Sequence, residues 1–218
     1  MHRSEARRGV GFPQLSVPVA HRWVATKLVT VTGSGVSSWV DLVGGLDAMQ
    51  GVDANRPLLG IDTIDFDGSN DVLAAVGPAI SQPCTLVSIY KDWSFTSPAS
   101  TLMATNTGLG PKMSSFTATS HRLQASLVLG YVATITAGGH VTMGVFNGAS
   151  SEAYLDSVSQ AVGDTGPDSL IPIVLGARLA TGTDSTQFKL YEALILSGAA
   201  VQADATAIQS YAVSKYGI

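Results

Sequence analysis

The chain has 218 residues, with 12 Lys and Arg against 16 Asp and Glu for a formal charge of −4, four His, one Cys and 23 Gly. Charged residues make up 13% and hydrophobic ones 45%, a balance that can fill a core and excludes disorder as the main state. The negative charge argues against a nucleic-acid partner, no apolar run reaches the roughly 20 residues of a membrane-spanning helix, and a lone Cys84 excludes an internal disulfide.

Residues 1–22 carry Arg3, Arg7, Arg8 and Arg22 against Glu5, a net +3, while the rest has 8 bases and 15 acids, a net −7. These opposite signs predict a basic arm, 1–22, that docks on another copy or another subunit; a frayed terminus is the plainer alternative. Pro13 and Pro18 break the apolar stretch that a secretory leader would need, so synthesis and folding in a reducing cytoplasm are expected.

From residue 23 onward short β-like runs alternate with Gly, Pro, Asn, Asp and Ser, the pattern of an all-β sandwich with about ten to twelve strands in one domain, 23–218. In 63–67 the apolar Ile64 and Phe66 alternate with polar neighbours, which sends Asp65 and Asp67 to the face away from the core. Asp62, Asp65, Asp67, Asn70 and Asp71 are dense enough in oxygen for a calcium site. Their spacing does not fit an EF-hand, however, and the favoured reading makes them turn residues.

The runs 85–91, 123–133, 169–176 and 187–196 are more continuously apolar, as strands buried between two sheets should be. Between them Lys91, Asp92 and Trp93, together with Asn106, fall on segments read as loops, where they are candidates to hold a glycan. A packed edge position is the competing reading for Trp93. Near the end the period changes: Val201, Ala205, Ile208 and Ala212 mark an amphipathic helix over 201–216, with Lys215 in its last turn and Gly217 placed to end it.

No Gly-x-Ser-x-Gly, Walker A, dinucleotide fingerprint, HExxH or paired CxxC occurs. His2, His21, His121 and His140 have no acidic or Ser partner at a recognised spacing and read as surface or loop residues. Cys84 reads as a small buried hydrophobe.

Three ordered motifs resemble the concanavalin A-like (LamG, laminin G-type) jelly-roll family, in the form found in structural proteins of tailed bacteriophages. The first is Val36-Ser37-Ser38-Trp39-Val40-Asp41-Leu42-Val43-Gly44-Gly45 with Asn55-Arg56-Pro57 and Ile64-Asp65-Phe66-Asp67-Gly68-Ser69-Asn70-Asp71. The second joins Val145-Phe146-Asn147-Gly148 to Glu152-Ala153-Tyr154-Leu155-Asp156. The third runs from Ile173-Val174-Leu175-Gly176-Ala177-Arg178 to the closing Lys215-Tyr216-Gly217. Leu190-Tyr191 departs from the Gly-hydrophobic pair usual in that last segment, and Leu42-Val43 from a polar Ser-Gly step.

The resemblance implies a jelly-roll sandwich of two antiparallel sheets. It also implies a virion structural protein, a head decoration, head fibre or tail-associated subunit that contacts capsid or tail proteins. The Glu-x-Asp-x-x-Glu run of the family's glycoside hydrolases is missing, so a non-enzymatic protein without a cofactor is expected, with calcium as the exception considered above. A carbohydrate-binding module is the alternative function, and host surface glycans are a possible ligand under either reading. The sparse charge predicts a homo-oligomer.

Overall fold

The structure is a computed structural model that describes residues 11–95, 100–105, 110–115, 117–171 and 173–218. In chain order the strands are β1 (Val19–Val24), β2 (Val29–Thr32), β3 (Gly35–Trp39), β4 (Ala48–Met49), β5 (Leu58–Leu59), β6 (Ile64–Asp67), β7 (Leu73–Ala75) and β8 (Cys84–Ser94). They continue with β9 (Ser100–Thr105), β10 (Lys112–Ser115), β11 (Ser120–Ala125), β12 (Leu127–Val132), β13 (Gly139–Phe146), β14 (Ser151–Leu155), β15 (Val158–Gly163), β16 (Ile173–Leu175) and β17 (Gln187–Leu196). Helix α1 (Gln202–Tyr216) closes the chain.

All strand pairs are antiparallel, and they form two sheets. One runs β15-β14-β13-β8-β17-β6-β5, and the other β12-β11-β10-β9-β16-β7-β4-β3-β2. In the first sheet β17 is flanked by β8 on one side, while its other side is shared end to end: Gln187 to Leu190 pair with β6 and Glu192 to Leu196 with β1. The all-β sandwich expected from the alternation is therefore present.

The main core lies between the sheets, where Trp23, Trp39, Tyr90, Phe146 and Phe188 are almost fully excluded from solvent. Both tryptophans satisfy their indole N–H on backbone carbonyls, Trp23 on Leu46 at 3.1 Å and Trp39 on Val24 at 3.0 Å, so neither buries an unpaired donor. Gly144 permits the sheets to approach, because a Cβ there would lie 2.7 Å from the Leu123 side chain.

A second core covers the outer face of the first sheet. Val87, Ile89, Val141, Met143 and Leu194 pack there against Ile208, Tyr211 and Ala212 of α1, with Phe12, Leu15 and Val17 beside them. Ala205, Ile208 and Ala212 of the expected stripe lie on this face, whereas Val201 precedes the helix and is exposed. Asp204 fixes the helix start by accepting from the N–H of Val201 and of Ser16, at 2.9 and 2.7 Å. Burial alone would raise the Asp204 carboxyl, but these bonds outweigh it and hold it below the usual range. At the other end Gly217 takes a left-handed φ of 74° and returns its N–H to Val213.

The basic arm is corrected in part. Arg22 belongs to β1 and is locked onto the domain: its Nε donates to Glu192 at 2.5 Å, its Nη2 to the Tyr211 hydroxyl at 2.8 Å, and Phe12 lies 4.1 Å beneath its guanidinium. A docking arm ending at residue 22 thus includes a residue committed to an internal ion pair. Arg3, Arg7 and Arg8 lie outside the described residues.

Candidate functional site

Strand register builds a polar cleft at one end of the first sheet. Lys91 of β8 lies opposite Lys189 of β17, Lys189 opposite Asp65 of β6, and Asp65 opposite Leu58 of β5, a row across four strands. One step along, Gln187 lies opposite Asp67. The resulting cleft of about 240 Å³ is lined by Leu58, Asp65, Asp67, Asp92, Gln187 and Lys189, with Phe66 and Phe188 beneath. Those two rings stack 4.8 Å apart at an interplanar angle of 5° on the inner face of the sheet, within the main core, and so fix the strands whose outward side chains form the charged rim.

A β-bulge decides which side chains reach the rim. Between the pairs Lys91 with Lys189 and Ser94 with Gln187, β8 has two residues where β17 has one. Asp92 absorbs the extra residue with φ of 53°, a left-handed conformation that aspartate tolerates better than most side chains. The bulge reverses the in-out alternation. Asp92 therefore joins the outer face and meets Lys189 at 3.0 Å, while Trp93 turns into the main core at 7% exposure.

Trp93 is consequently corrected as a glycan platform: its ring packs edge-on to His121 at 5.7 Å and is closed to a ligand. Asp92 lines the cleft, and Lys91 lies beside it, opposite Lys189. Lys91 lies 5.0 Å over the Tyr191 ring and 4.0 Å from Asp62. A hydrogen bond to Tyr191, opposed by partial burial and reinforced by Asp62 and Asp92, raises its ammonium above the usual range. Asn106 lies outside the described residues.

The five oxygen-bearing residues considered for calcium diverge. Asp71 is 5% exposed and accepts the Asp67 N–H at 2.9 Å, and Asn70 spends its amide on Ala54 and Asn55. Asp65 accepts from the Thr63 hydroxyl, while Asp62 faces Lys91. Among the described residues no three His, Cys, Asp or Glu side chains come together as a metal would require. Turn and edge roles account for them.

Histidine partners hidden in the sequence emerge from the pairing of strands. His21 meets Asp41 at 2.7 Å, and His121, 3% exposed, meets Ser115 at 2.6 Å. His140, 8% exposed, places Nδ1 2.7 Å from Asp156 and Nε2 3.1 Å from the Thr136 hydroxyl. The expectation of partnerless surface histidines is wrong for these three, because hairpins and loops bring distant partners to them. Cys84 is buried as expected, and burial pushes its thiol up to about 12.

No protein-family model matches the chain, and no curated protein sequence matches it. Solved structures do. The Trypanosoma rangeli sialidase in complex with sialic acid matches with a TM-score of 0.65 at 14% identity, over 93% of this chain and 36% of that one. The binding domain of Paraclostridial Mosquitocidal Protein 1 gives 0.62 at 13% identity, over 88% and 52%. The ligand-binding domain of botulinum neurotoxin serotype D, in complex with N-acetylneuraminic acid, gives 0.60 at 12% identity, over 88% and 50%.

The chain thus spans about a third of the sialidase and half of each toxin domain. At these identities the likeness shows the two-sheet sandwich and not the phage-type assignment. It also corrects the expectation of a non-enzymatic protein. The sandwich is shared with enzymes, so the missing Glu-x-Asp-x-x-Glu run is no ground for setting catalysis aside.

Proposed function

We propose that the chain is a glycan-binding domain and that the cleft at Asp65, Asp67, Asp92, Gln187 and Lys189 is its binding site. The observation that carries this reading is the bulged Asp92, a non-glycine residue held in left-handed backbone at the rim and ion-paired across it to Lys189. The carboxylates accept from sugar hydroxyls and the Gln187 amide both accepts and donates, while the exposed Leu58 side chain offers apolar contact to ring C–H groups. That combination is what a polyhydroxylated ring with one apolar face requires.

Charge selects among sugars. Asp65, Asp67 and Asp92 line the cleft against one ammonium, Lys189, which repels a sugar carboxylate and favours neutral glycans. This specificity differs from that of the toxin domain seen with N-acetylneuraminic acid. The virion reading has no counterpart among the structures described above, so the glycan-binding alternative takes first place. A glycan array carrying neutral and sialylated sugars tests it. Wild type retains neutral glycans, Asp92→Ala and Lys189→Ala lose them, and retention of sialylated glycans alone contradicts the proposed cleft.

A further inference from the structure

We propose that Thr136, His140 and Asp156 form a site that hydrolyses small carboxylic esters, with Thr136 as nucleophile, His140 as base and Asp156 as its positioning residue. The inference stands apart from glycan binding and uses none of the cleft's side chains. Three segments converge to make it: the 133–138 loop carries Thr136, β13 carries His140 as its second residue, and Asp156 follows β14.

The polarity of the chain of hydrogen bonds is set by chemistry. A carboxylate only accepts, so Nδ1 of His140 carries the proton and donates to Asp156 Oδ2 at 2.7 Å. Nε2 is then the free lone pair, and the Thr136 hydroxyl, 3.1 Å away, donates to it. Both distances fall in the range required between a nucleophile, its base and the group that orients the base.

Asp156 is itself held in place. Its Oδ1 accepts the Val141 N–H at 2.9 Å, and both it and Ser157 adopt left-handed backbone, with φ of 50° and 64°. His140 is buried beside Tyr90, whereas Thr136 is exposed. An oriented, shielded base thus faces a hydroxyl that a substrate can reach. The Gly138 N–H donates to Thr136 Oγ1 at 3.4 Å and so helps hold the hydroxyl beside His140.

In the first step Thr136 Oγ1 bonds to the ester carbonyl carbon and its proton passes to His140 Nε2. The tetrahedral intermediate collapses, the carbon–alkoxide bond breaks, and the alcohol leaves with the proton from Nε2. Solvent water, deprotonated by His140, then attacks acyl-Thr136 and releases the carboxylic acid, restoring the hydroxyl. Ester and water become alcohol and acid, with no other reactant.

The test is incubation of the full chain with p-nitrophenyl acetate, reading p-nitrophenolate release and the mass of the peptide that carries Thr136. Wild type releases p-nitrophenolate and acquires acetyl on Thr136, Thr136→Ala loses both, and Thr136→Ser keeps both. Because Thr136 is exposed, these variants leave the core untouched. Asp156→Asn slows release by about 10²-fold or more and displaces the pH profile, with partial rescue in Asp156→Glu. Equal release by wild type and Thr136→Ala, or acetyl found on lysines and not on Thr136, overturns the proposal.

Discussion

Asp71 shows how a single buried carboxyl sets a pH dependence. Burial pushes it up to about 6, with the Asp67 N–H opposing and the Asp67 charge reinforcing the shift. Its folded value therefore lies above the ordinary value of about 4. The protonated form is favoured on folding, so the stabilising contribution is complete below pH 4 and is lost as pH rises through 6. Asp71→Asn keeps an acceptor for the Asp67 N–H and removes the charge. Urea denaturation should show a gain of about 1–3 kcal/mol at pH 7 that disappears at pH 3.5. Cys84 offers a simpler check at the same scale: with its thiol raised to about 12 and buried, it should react with a thiol reagent only after unfolding.

Among elements, helix α1 and the two bulges between β8 and β17 divide what a local period reveals from what strand pairing decides. The spacing of Ala205, Ile208 and Ala212 marks the helix and its buried face, because a 3.6-residue period is a local property, whereas Val201 caps the helix start and is exposed. Asp65 and Asp67 were equally readable as outward-facing, since β6 keeps strict alternation. Trp93 was not. Its direction depends on the bulge at Asp92, which exists only opposite β17 and leaves no periodic trace in β8. The second bulge, at Tyr191, falls on the Leu190-Tyr191 step where the chain departs from the jelly-roll motif, and it turns Glu192 toward the helix.

There Glu192, fully buried, accepts from Arg22, from the Tyr211 and Tyr216 hydroxyls and from Lys215. Removing the carboxylate in Glu192→Ala strands the half-buried guanidinium and both buried hydroxyls. The expected cost is about 3–5 kcal/mol in chemical denaturation. Gly217→Ala forces a Cβ into left-handed backbone at the helix end and should cost about 1 kcal/mol. A Glu192→Ala variant as stable as wild type would mean that the helix docks through its apolar face alone.

Over the whole molecule, the proposed site arises where register brings residues from β5, β6, β8 and β17 to one rim. Asp65, Asp92 and Lys189 lie far apart in the chain, so neither spacing nor composition could join them, although Lys91, Asp92, Asp65 and Asp67 were each conspicuous singly. The same holds for His140 and Asp156, which a hairpin brings together. Part of the apolar content stays outside on edge strands, with Val132 of β12 at 79% exposure and Val162 of β15 at 67%, which is how so hydrophobic a chain can have a filled core as well. Binding of a neutral sugar in the bulged cleft can be followed by titrating the strongest neutral glycan from the array into isotopically labelled protein and recording amide NMR shifts. Saturable shifts centred on Asp65, Asp92 and Lys189 are expected; shifts centred on any other surface, or an array on which wild type retains no neutral glycan to titrate, would overturn the proposed site.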